Sequence, residues 1–188
     1  MFSSIKSLLI TSIIILFFSS IGYSQYENLG NQSRKAPKPN PWFFGGMLGG
    51  SWSSYGGSLE VAPVVGYKVT EDFHVGSRIT YIYSSYDYPG YGRKSFNDYG
   101  ASLFARHRFL KMLFAHVEYE VLSVEYFTDP NSSATARRTI NNLFVGGGLF
   151  QSMGGRGFAT IAILWNVLDS QYSPYSNPII RVGFGVGL

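Results

Sequence analysis

Cysteine is absent from all 188 residues. That excludes disulfide scaffolds, cysteine-based zinc sites, thiol catalysis and a lipid-bearing N-terminal cysteine. Charge is scarce too: Asp, Glu, Lys and Arg make up 14% of the chain, against about a quarter in soluble proteins. The 15 Lys and Arg exceed the 11 Asp and Glu only mildly. They are divided among a tail, the strands and the loops, so no continuous basic stripe for nucleic acid exists. Long apolar runs are missing after the first two dozen residues, and helical periodicity is not found from Trp42 onward. What the chain does have is 22 glycines, 17% aromatic and 45% hydrophobic residues. That apolar content argues against disorder, and the length suits one domain.

The first segment reads as an address. Lys6 precedes an apolar run over 8–18, and Gly22 and Ser24 are the small residues of a cleavage site before Gln25. A run of roughly a dozen residues is short of the ~20 needed to span a bilayer as a helix. Residues 1–24 are thus expected to be a secretory signal peptide. Residues 25–41, with Pro37, Pro39 and Pro41 alternating, read as an extended periplasmic tail. Residues 42–188 are the folded domain.

That domain alternates with period two, the mark of half-buried strands. Within 59–69, Leu59, Val61, Val65, Tyr67 and Val69 share one face, and Glu60, Ala62, Val64 and Lys68 the other. Within 113–123, Leu113, Val117, Tyr119 and Val121 oppose Phe114, His116, Glu118 and Glu120. The segments 42–52, 73–83, 99–109, 142–151, 158–167 and 180–188 behave likewise. About eight strands result. Tight turns are expected at 70–72, 110–112 and 152–156, and longer polar links at 84–98, 124–139 and 168–177.

The sense of the alternation decides between two kinds of barrel. Glu60, Lys68, Arg78, Arg106, Arg108, Glu118, Glu120 and Arg181 all fall on the less apolar face. A barrel in water would expose the other face as a continuous greasy girdle, far beyond what a soluble monomer tolerates. In a bilayer the same face is the stable one. Trp52, Tyr81, Tyr83, Tyr99 and Trp165 fall near one end of their strands, and Phe44, Tyr67, Phe73 and Phe109 near the other, as interfacial girdles do. The expected fold is an all-β, antiparallel up-and-down transmembrane β-barrel of about eight strands, with short periplasmic turns and longer extracellular loops. On these features, and on an apolar closing strand over 182–188, the chain resembles the small outer-membrane β-barrel proteins of the OmpA/OmpX-like kind. The glycine-rich strands and the Tyr23-Ser24-Gln25 junction resemble their Bacteroidota versions. The resemblance implies a fold and an outer-membrane location, and it carries no catalytic residues.

A barrel of this size is filled by its own side chains, so the eight inward ionic residues are expected to pair with one another in the lumen. Glu118 and Glu120 then read as counter-ions to the arginines rather than as catalytic carboxylates. His74 and His116 read as lumen polar groups without the further ligands a metal needs. The loops hold Tyr86, Tyr88, Tyr91, Arg93, Tyr172 and Tyr175, residue types enriched at binding surfaces. The expected role is non-enzymatic, structural or interacting, as a subunit of a larger envelope complex. Its partners would be outer-membrane lipid, lipopolysaccharide and envelope proteins, with no cofactor and no nucleic acid. Two alternatives stand beside it. One is a lipid-modifying enzyme built on His107 and Ser77, which share the apolar face on consecutive strands. The other is a narrow channel or a carrier of a small hydrophobic ligand.

Overall fold

The computed structural model describes residues 40–88, 92–128, 135–168, 170 and 172–187. The expected signal peptide, residues 1–24, and nearly all of the expected tail, residues 25–41, lie outside them. Eight strands follow in chain order: β1 (Trp42–Ser53), β2 (Gly56–Lys68), β3 (Phe73–Tyr88), β4 (Gly92–Phe109), β5 (Leu113–Phe127), β6 (Thr135–Ser152), β7 (Gly157–Asn166) and β8 (Ile179–Gly187). Each pairs antiparallel with its sequence neighbours, and β1 pairs with β8, so the sheet closes into a barrel.

The faces follow the sequence pattern. Leu48, Val61, Ile79, Leu103, Val117, Val121, Ile163 and Ile180 point away from the barrel and are exposed, Leu103 by as much as 71%. Their neighbours along each strand turn inward. Aromatic side chains fringe this outer belt. Trp42 packs edge-on against Tyr67 at the turn end. At the loop end Tyr81 stacks with Tyr99, and the Arg137 guanidinium lies 4.1 Å over the Tyr99 ring. Tyr81 also donates its hydroxyl to Asn97 Oδ1. Polar partners thus begin where the aliphatic belt stops.

Four strands run further than the sequence pattern predicts. The links expected at 84–98 and 124–139 are largely strand: β3 and β4 pair up to Tyr88–Gly92, and β5 and β6 up to Phe127–Thr135. Ser84, Ser85 and Ser95 dilute the apolar alternation there, because both faces of a ribbon above the apolar belt meet water or protein. The period-two signal fades although the ladder continues. At the other end the turns are tight as expected. The β4–β5 turn puts Leu110 and Lys111 in the left-handed region, at φ 53° and 63°, a conformation that few residues other than glycine adopt.

The interior is packed in layers. Phe43, Met47, Ala62, Val64 and Phe104 form one cluster toward the turn end. Phe114, Phe144, Ala162, Leu164 and Ile179 form a second, and Ile82, Leu122, Val124 and Ile140 a third toward the loops. Gly66 shows what this packing demands, since the Phe43 ring occupies the space that a Cβ at Gly66 would need. Gly66→Val is therefore expected to destabilise the barrel by about 1–3 kcal/mol through overpacking. Urea unfolding in lipid vesicles, followed by tryptophan fluorescence, measures this.

Candidate functional site: a buried ionic knot between two open mouths

The strand register draws five of the eight inward ionic residues into one knot. Glu120 faces Ser102 on β4, and Ser102 faces Arg78 on β3, so Arg78 and Glu120 share a level one strand apart. On the other side Arg181 faces Gly49, and Gly49 faces Glu60. A glycine between the two leaves room for their side chains to meet across β1.

Arg78 is the centre. Its Nη1 donates to Glu60 Oε1, Nη2 to Glu120 Oε1 at 2.9 Å, and both Nε and Nη2 to Glu118 Oε1, Nε at 2.9 Å. Arg181 donates from Nη1 to Glu118 Oε2 at 3.2 Å and pairs with Glu60 at 3.4 Å. Thr80 Oγ1 and Asn142 Nδ2 donate to the two oxygens of Glu120, at 2.9 and 3.0 Å. Asn166 Nδ2 donates to Asn142 Oδ1 at 2.8 Å, extending the network toward β7. His116 Nε2 lies 3.0 Å from Glu118 Oε2. Arg78, Glu118 and Glu120 are at most 1% exposed. Charges this deep need such pairing, because removing water from each costs several kcal/mol, and Arg181 is still left with Nε and Nη2 without a hydrogen-bond partner.

The loop between β7 and β8 closes the knot from above. Tyr175 was expected on a loop binding surface. Its hydroxyl instead reaches down and donates to Glu120 Oε1 at 3.1 Å, while its ring packs edge-on against Phe144. Burial and the nearby Glu60 and Glu120 push this phenol well above its ordinary pKa, so it stays a neutral donor. A tyrosine in a loop carries no sequence sign that it will plug the lumen.

The other three ionic residues do not join the knot. Lys68 and Arg108 lie at the turn-end rim, where Arg108 pairs with Asp72 at 3.4 Å. Arg106 is buried beneath them against the rings of Phe114 and Phe104. The knot therefore separates two mouths.

The loop-end mouth is a cup of about 540 Å³. The β4–β5 ladder ends at Tyr99–Ser123, and above it the two long hairpins part. Asp98 Oδ1 and Glu125 Oε2 bridge the parting by accepting from the backbone N–H groups of Glu125 and Asn97. Of the loop residues singled out from sequence, Tyr86 and Tyr172 line this cup. Arg93 is opposite Asp87 near the hairpin tip, Tyr88 ends β3, and Tyr91 lies outside the described residues. Sequence reasoning missed Phe96, Tyr126 and Phe127, which join the cup's wall. Their signal was present as aromatics inside segments read as loops. Arg138 lies behind that wall, 4.4 Å over the Tyr172 ring.

Ser77 and His107 are not brought together. Both are exposed on the outer face, but Ser77 is opposite Leu103 and His107 opposite Phe73. Four residues of strand, about 13 Å, separate them. The register therefore leaves the alternative built on this pair without its Ser–His contact.

No protein-family model matches this chain, and no curated protein matches it. Among solved structures, the N-terminal β-barrel domain of Pseudomonas aeruginosa OprF is similar over 80% of this chain and 98% of its own, with 15% identity and a TM-score of 0.43. The Yersinia pestis outer membrane protein Ail, in a phospholipid bilayer nanodisc, is similar over 79% and 99%, with 10% identity and a TM-score of 0.47.

Removing one partner of the knot strands a buried charge. Glu118→Leu is expected to cost about 3–5 kcal/mol, more than any rim substitution such as Asp72→Asn, which breaks a solvent-exposed pair worth about 0–1 kcal/mol. Urea midpoints of the two variants in vesicles compare them directly.

Proposed function

We propose that the chain is a non-enzymatic outer-membrane barrel that serves as an interaction protein of a Gram-negative, Bacteroidota-type envelope. In this reading its long hairpins face outward and its tail lies in the periplasm. The membrane setting is supported by the belt of Leu48, Ile79, Leu103, Val117 and Ile180 outside a barrel whose ionic groups are inside. Water would make that arrangement unfavourable on both counts. The knot argues against a diffusion pore, since Arg78, Glu118, Glu120 and the Tyr175 hydroxyl fill the cross-section. Planar-bilayer conductance is expected to stay at baseline.

The observation that carries the interaction role is the parting of the hairpins. Above Tyr99–Ser123 the edges of β4 and β5 face one another without ladder pairing, across an aromatic-lined cup. Strand edges without ladder pairing can accept an added strand, here above the level where the Asp98 and Glu125 carboxylates hold the Glu125 and Asn97 N–H groups. Tyr and Phe beside them supply contact area at low entropic cost. The partner that fits is an extended segment of another envelope protein.

Two measurements test the reading. Leu103→Arg, at the centre of the belt, is expected to cost about 2–4 kcal/mol in vesicles, and a soluble, folded, detergent-free chain would refute the membrane setting. A photo-crosslinking residue at Tyr86 or Tyr172 is expected to capture a discrete protein in native membranes, while one at Leu103 captures lipid. The Phe127→Ala variant should weaken the capture. Adducts confined to lipid at all three positions would overturn the interaction role.

A further inference from the structure

The turn-end mouth is a separate pocket of about 400 Å³. Lys68, Arg106, Arg108 and Arg156 line it, against a single carboxylate residue, Glu71. Glu71 is engaged there through its backbone, whose carbonyl accepts from His74 Nε2 at 3.2 Å. Arg108 has an exposed counter-ion in Asp72 at 3.4 Å. Arg106 has none: among the described residues no carboxylate pairs with it, and its buried Nε has no hydrogen-bond partner. It is 3% exposed, with its guanidinium 4.4 Å from the centre of the Phe114 ring and 5.6 Å from that of Phe104. Cation–π contact meets the face of a guanidinium and leaves the Nε–H without an acceptor. A buried cation left so is costly, and the complement it lacks is an oxyanion.

The chain's own tail is a poor complement. Over 25–41 it carries Arg34, Lys35 and Lys38 against Glu27 alone. The walls of the pocket are Phe43, Phe150 and Phe158, of which Phe158 packs against both others. A cationic floor and rim with aromatic walls fits an anion carried on an apolar body.

We propose that the turn-end mouth of the barrel binds a small organic oxyanion, a phosphate or carboxylate borne on an apolar group, with Arg106 as its inner anchor. Lys68, Arg108 and Arg156 draw it in, and the three phenylalanines hold its apolar part. The site lies on the opposite side of the knot from the aromatic cup and is independent of what the cup binds. The same chemistry is offered by a free organic phosphate and by an anionic lipid headgroup.

The test is calorimetric titration of the full chain, folded in non-ionic maltoside micelles, with phenyl phosphate. Saturable binding is expected, weaker for inorganic phosphate and absent for phenol. Arg106→Gln is expected to lower the affinity about tenfold or more. Retained heat-modifiable mobility on gels reports that the variant barrel is folded. Should that variant fail to fold, Arg156→Gln, in an exposed turn, decides instead through a smaller loss that vanishes at high salt. A parallel titration with dihexanoyl phosphatidylglycerol, below its own micellar concentration, separates the sources: competition with phenyl phosphate indicates a headgroup, and no binding indicates a soluble anion. Lack of saturable phenyl phosphate binding, or binding unchanged in both variants, would overturn the proposal.

Discussion

Arg78 sets the terms for the interior. A guanidinium withdrawn from water must find oxyanions for its donors, and one carboxylate cannot supply them all. Three glutamates surround it, and their surplus negative charge is in turn met by Arg181 and by the neutral donors Thr80, Asn142 and Tyr175. These side chains come from β2, β3, β5, β6, β8 and the β7–β8 loop, so the knot is complete only when the barrel closes. Small glycines make space for it: Gly49 lies between Arg181 and Glu60, and a Cβ there would press on the Glu60 carboxylate. Fold closure and charge satisfaction are one event.

A solid middle makes the two ends chemically independent. The loop end is aromatic and mixed in charge, with Lys94 over Phe127 and Arg138 over Tyr172 beside Asp98 and Glu125. The turn end is cationic, with its arginines at aromatic walls. A through-channel would average such differences along its length, whereas a plug lets each mouth hold a different kind of ligand. The turn-end mouth is built on strands and tight turns, which favours pre-formed geometry, whereas the loop-end cup also takes Tyr172, Ser173, Pro174 and Ser176 from the β7–β8 loop.

Much of this was legible in the sequence. Period-two alternation names a face for every residue, and the faces of Glu60, Arg78, Glu118, Glu120 and Arg181 were readable before any coordinate. Parity is insensitive to offset, however. Ser77 and His107 have the same parity and so looked like neighbours, yet sliding one strand by four residues preserves every face and separates the pair. The hairpin ends of β3 to β6 were hidden for a related reason. The signal depends on two unlike environments, and above the belt the two faces of a ribbon are alike.

The sequence by itself determined the number of strands, which side of each faces the interior, and the kind of surface the cylinder presents. These depend on local alternation and on the cost of exposing or burying a side chain. Only the tertiary structure decided that five ionic residues meet while Arg106 is left without a carboxylate, and that Tyr175 folds inward as a plug. Those outcomes depend on the stagger between strands across the closed sheet, and a chain read one residue at a time contains no measure of that distance.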